Sequence, residues 1–84
     1  MTITRIGEKI DVAAFFGVRD KFRPLWFMWD KRKISIEQVL YRWQERDGMN
    51  RAHHFSVTDG ASTYHLCYDS GRLAWQLVAV ETEV

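Results

Sequence analysis

Apolar and polar residues alternate along most of this chain with the period of two that marks strands packed on one face. The pattern is cleanest in the C-terminal third. Phe55 and Val57 alternate with polar neighbours, and Tyr64, Leu66 and Tyr68 do the same, as do Leu73, Trp75 and Leu77. Asp59-Gly60 and Ser70-Gly71 stand between these runs as turn signals, so the segment predicts a three-stranded antiparallel meander. A two-residue turn at Ser70-Gly71 would set Tyr68 opposite Leu73, Leu66 opposite Trp75 and Tyr64 opposite Leu77. His53, Phe55 and Val57 then share that core face. The opposite face carries His54, Ser56, Thr58, Thr63, His65, Cys67 and Gln76.

A second hairpin is predicted upstream. Leu25, Phe27 and Trp29 alternate with Trp26 and Met28, the polar run Asp30-Lys31-Arg32-Lys33 turns the chain, and Ile34 and Ile36 continue the period. Pro24 lies at its entrance, where a missing N–H suits an edge or a first strand position. Residues 35–46 carry two patterns. Ile36, Val39, Leu40 and Trp43 fit a helix with a capping box at Ser35 to Gln38, whereas Val39, Tyr41 and Trp43 fit a strand. The strand is the preferred reading, with a bulge near Glu37 moving the apolar face from even to odd positions. Ile10, Val12, Ala14 and Phe16 form a further strand. The expected fold is mainly β: residues 1–84 as one domain, a single strongly twisted antiparallel sheet or small open barrel of five to six strands.

A chain of 84 residues buries only about 60–65% of its unfolded surface, so its apolar groups must pack efficiently. Four Trp, three Tyr and five Phe supply the material. The single cysteine, Cys67, cannot form an intrachain disulfide, which points to a reducing compartment. The N-terminus lacks a signal-peptide core, and Val12 to Val18 is too short to cross a bilayer, so a cytoplasmic protein without membrane partners is expected. Charge is uneven. Arg19 to Arg51 holds nine basic residues against five acids, whereas Ala52 to Val84 holds one against four.

Three groups of residues bear on chemistry. His54, His65 and Cys67 share a face and are the weak candidates for a metal site, but their spacing matches no standard zinc motif and a fourth ligand is missing. Cys67 as a nucleophile would need His54 or His65 as base, yet no oxyanion hole or orienting carboxylate is recognisable. The aspartates fall mostly in turns, and no phosphate-binding glycine motif occurs. No catalytic residue and no cofactor are therefore expected.

The third group is a candidate binding surface: Arg23, Trp26, Met28, Lys31, Arg32 and Lys33, with Arg19 and Lys21 before it and Arg42 and Arg46 after. If Leu25, Phe27 and Trp29 point inward, Trp26 and Met28 point outward among cations. That combination suits a protein interface, or single-stranded nucleic acid held by phosphate contacts and base stacking.

The spacing of Arg23 to Trp29, Ile34 to Ile36, Val39-Leu40, Trp43, His54 to Thr58, Tyr64 to Tyr68 and Trp75 to Leu77 resembles a small bacterial domain of unknown function. That domain is similar to the C-terminal tail of some inactive Y-family polymerase homologues of mutagenesis cassettes. The chain departs from the pattern at Asp30-Lys31-Arg32, where the family has a glycine, and at Met49 to His53, where aromatic residues are fewer. The resemblance implies an all-β accessory module linked through its fused relatives to DNA damage tolerance. It implies no catalytic residues. A non-enzymatic module that recognises a protein partner or associates with itself is the expected function, with single-stranded nucleic-acid binding as the alternative.

Overall fold

The computed structural model describes residues 2–18 and 22–82, so Arg19 and Lys21 lie outside the described residues. Seven strands form one antiparallel sheet: β1 (Thr2–Phe15), β2 (Arg23–Trp29), β3 (Arg32–Ser35), β4 (Gln38–Asp47), β5 (Asn50–Thr58), β6 (Ser62–Asp69) and β7 (Ala74–Thr82). Their spatial order is β3-β2-β1-β7-β6-β5-β4. The all-β class and the single curled antiparallel sheet agree with the alternation in the sequence. The strand count does not.

The additional strand arises at Ile36-Glu37. Instead of continuing as one bulged strand, the chain changes partner there: β3 pairs with β2, while β4 pairs with β5 at the other edge of the sheet. The Ile36 N–H donates to the Leu25 carbonyl at 3.0 Å and the Glu37 N–H to the Thr58 carbonyl at 2.8 Å, so adjacent residues bond to opposite ends of the strand order. Three peptide units reach at most about 11 Å, which forces the two edges together at this point and curls the sheet into a half-barrel.

Within the curl, Phe27, Ile34, Phe55, Val57, Tyr64, Leu66, Leu77 and Val80 are buried. Ile6, Ile10, Val12, Phe22, Trp29, Ile36, Val39 and Trp75 pack against them. Each large side chain fully removed from water contributes about 1.5–3 kcal/mol. Phe22 is the centre of an aromatic cluster. Its ring centroid lies 5.3–5.6 Å from His53, Phe55, Tyr68 and Trp75 and stacks on Phe16 at 4.4 Å. The Arg42 guanidinium donates to the Phe22 carbonyl at 2.9 Å and rests 5.6 Å from the Phe55 ring centroid.

The meander has the expected faces with a different register. Tyr68 opposes Trp75, Leu66 opposes Leu77 and Tyr64 opposes Val80. The turn is four residues long because the Asp69 carboxylate accepts the Gly71 N–H at 2.9 Å and the Arg72 N–H at 3.3 Å. Leu73 consequently sits in the turn at φ 53°, exposed, rather than on the core face. A bulge then inserts Val78 and moves the inward positions of β7 from odd to even.

Two more bulges revise the expected faces. One, opposite Ala13-Ala14, leaves Leu25 exposed and buries Pro24 instead. The other, at Leu40, keeps Val39 inward but turns Tyr41 and Trp43 outward, opposite Ser56 and His54. The strand assignment for residues 38–46 stands, whereas the shared face of Val39, Tyr41 and Trp43 does not.

Candidate functional site

The outer face of β4, β5 and β6 gathers His54, His65, Cys67 and Trp43. His54 and Cys67 are register partners, as are Trp43 and His54, so adjacent strands stack these side chains in a row. His54 Nδ1 and His65 Nε2 share a hydrogen bond of 2.9 Å, and Cys67 Sγ lies 3.9 Å from the other His54 nitrogen, Nε2. Glu45 Oε1 is 3.8 Å from that same nitrogen. The Trp43 ring lies flat on His54, 5.1 Å between centroids and 6° between planes, and also touches His65. Beneath this cover the His54 side chain is only 13% exposed.

The two nitrogens of His54 face different neighbours, Nδ1 meeting His65 and Nε2 lying nearer Cys67 and Glu45. Among the described residues no group of three or more His, Cys, Asp or Glu side chains is arranged to hold an ion. Burial pushes the Cys67 thiol up, and Asp69 and Glu45 add to the effect, which keeps it protonated rather than a reactive thiolate. Burial lowers His65, as does the neighbouring His54, against a smaller opposing pull from Glu45. On the inner face His53 is lowered by burial, then by Arg51 and His54.

The first hairpin keeps the alternation from Trp26 to Trp29, whereas Leu25 departs from it at the bulge. Asp30 and Lys31, at φ 52° and 61°, form a two-residue turn with both central residues left-handed, the geometry that matches strand twist. Phe27 is buried, while Trp26 is half-buried and Met28 exposed on the outer face. Met28 opposes Lys33 and Trp26 opposes Ser35. The Lys33 ammonium sits 4.7 Å from the Trp26 ring centroid, and Arg23 lies 5.4 Å from the Phe15 ring. Among the described residues no carboxylate lies within ion-pair distance of Arg23, Lys31, Arg32 or Lys33.

Two features escaped the sequence. Phe22 falls in a connection without periodicity, so nothing marked it as the centre of an aromatic cluster. The second is the β4 edge. Its outer side carries Tyr41, 73% exposed, and Trp43, 40% exposed, with Leu40 beside them at 39%. A cleft of about 540 Å³ lined by Phe22, Arg42, Trp43, Gln44, His53, His54 and Phe55 runs along it. The edge is invisible in the sequence because it depends on which strand lacks a second neighbour.

The class defined by these observations is a small curled antiparallel sheet with one long edge that is uncovered among the described residues, and a separate basic hairpin. No protein-family model matches the chain, and comparison with curated proteins and with solved structures finds no match.

Proposed function

We propose that this protein is a non-enzymatic binding module that recognises an extended segment of a protein partner by adding it as a strand along β4. The observation that supports this is the edge itself. β4 runs for ten residues, is hydrogen-bonded on one side only, and among its described side chains all but Val39 are exposed. Such an edge offers a row of backbone donors and acceptors for affinity, with alternate side chains for selectivity. The outward aromatics Tyr41 and Trp43 are the residue types that anchor interfaces. Chemical-shift mapping of the labelled protein with a partner captured from its native extract tests the reading. Perturbation and amide protection should follow β4 and be lost on Trp43→Lys. Perturbation confined to Trp26 and Met28, with β4 amides unchanged, would move the surface to the first hairpin.

A second reading, single-stranded nucleic-acid binding, is favoured by the cations of that hairpin, which have no carboxylate within ion-pair distance among the described residues, and of which Lys33 lies against Trp26 and opposite Met28. Phosphates would neutralise Arg23, Lys31, Arg32 and Lys33, and a base would stack on Trp26 after displacing Lys33 from its ring. This reading also carries the link to DNA damage tolerance implied by the resemblance to polymerase tail domains. Tryptophan fluorescence should then be quenched by oligonucleotides at low salt and recover as salt rises. No quenching at low salt eliminates it.

A further inference from the structure

The two ends of the sheet are not equivalent, and the difference bears on what β4 meets. β3 is a four-residue edge carrying Arg32 and Lys33, short and charged in the manner of edges that resist pairing. β4 is ten residues long and contains no Pro, Gly or Lys. Its one inward cation in contact with the core, Arg42, is tied to the Phe22 carbonyl. Ile36-Glu37 draws the two edges together near Gln38, so the free part of β4 is its middle and C-terminal half.

We propose that the strand added to β4 is β4 of a second copy of this chain, antiparallel, about a two-fold axis through Trp43. The proposal rests on the reading of β4 as a strand-adding edge and names its occupant. Self-pairing must match inner face with inner face, which limits the two-fold to a residue position rather than a point between residues. A two-fold at Arg42 sets that cation against itself. Centring on Gln44 opposes Arg42 to Arg46, and centring on Glu45 opposes two carboxylates. A two-fold at Tyr41 meets the Leu40 bulge at the next residue. With Trp43 on the axis, Trp43 faces its own copy, Tyr41 faces Glu45 and Arg42 faces Gln44, with no like charges opposed over residues 41–45. Directly opposed Cβ atoms in such a pair lie about 4.5–5.5 Å apart, close enough for the two indoles to cover each other's exposed sides.

The test reads both assembly and register. Sedimentation of the wild-type chain should show a concentration-dependent dimer. Gln44→Glu, which sets a carboxylate opposite Arg42 twice, should tighten it several-fold, and Gln44→Arg should weaken it several-fold. In a Cys67→Ser background, Trp43→Cys should form an intermolecular disulfide on oxidation and Glu45→Cys alone should not. A mixture of Tyr41→Cys and Glu45→Cys chains should cross-link while retaining Trp43, so a folding defect in the tryptophan variant does not decide the outcome. A chain that stays monomeric at all concentrations, while a different partner protects its β4 amides, overturns the second copy and keeps the strand-adding edge. A dimer indifferent to Gln44 whose cysteines fail to cross-link in the 41/45 mixture overturns the β4–β4 pairing, and β4 amides left unprotected by any partner overturn the strand-adding edge.

Discussion

The meander of β5, β6 and β7 and the edge strand β4 have similar apolar content and opposite fates. Phe55, Val57, Tyr64, Leu66, Leu77 and Val80 belong to strands with a neighbour on each side, and none is more than 6% exposed. Val39, Leu40, Tyr41 and Trp43 belong to a strand with one neighbour, and only Val39 packs on the core. Position in the strand order and a one-residue bulge, rather than hydrophobicity, decide which apolar side chains stabilise the fold and which remain exposed. The meander is the scaffold. The edge is the surface it holds out.

The largest test of this contrast compares equivalent truncations. Leu66→Ala, at full burial, should cost about 2–5 kcal/mol in denaturant unfolding, whereas Tyr41→Ala should stay within about 0.5 kcal/mol. Equal costs would break the comparison. Phe22→Ala should lie between them, losing about 1.5–3 kcal/mol as the aromatic cluster around it comes apart.

A smaller effect is expected in the β5–β6 loop. The Asp59 carboxylate accepts the N–H groups of Ala61 and Ser62 at 2.9 and 2.8 Å and the Tyr64 hydroxyl at 3.0 Å. Burial alone would raise this carboxyl, but those hydrogen bonds outweigh it and hold it below its ordinary 3.8. Asp59→Ala should cost about 1–3 kcal/mol, again by denaturant unfolding. The unfolded chain takes up this proton first, so the stabilisation is present above 3.8 and disappears on acidification through the folded value.

The smallest effect belongs to the histidines. His65 and His53 are both held below the ordinary 6.5, burial being the main cause, so below that pH the unfolded chain binds protons that the folded chain resists. Melting temperature should therefore fall as pH drops from about 7.5 to 5, and His65→Gln should flatten the slope. An unchanged slope would show that His65 contributes nothing to the linkage.

The faces of the meander were legible because parity survives any even slip. Tyr64, Leu66 and Tyr68 face inward whether the turn after Asp69 holds two residues or four, so the apolar pattern could not distinguish these registers. Hydrogen bonding by Asp69 chose between them. The bulges at Leu40 and Val78 each add one residue and reverse parity, and alternation carries no mark of where that happens. The outward placement of Trp26 and Met28, and of His54, His65 and Cys67, followed from local alternation alone. The edge of β4 did not, since it depends on the non-local choice of β1 to pair with β7.

The two-residue link at Ile36-Glu37 has a kinetic meaning as well as a geometric one. It separates the chain into two sets of sequential hairpins, β1-β2-β3 and β4-β5-β6-β7, which join as one sheet only through β1 and β7. All the other pairings are between consecutive strands and can form early, whereas the β1–β7 ladder must close a loop spanning nearly the whole chain. Folding should accordingly be limited by the docking of two preformed halves. Peptides divided at this link are natural candidates for reassembly into the native sheet, with the β1–β7 seam providing the bonds that hold them together.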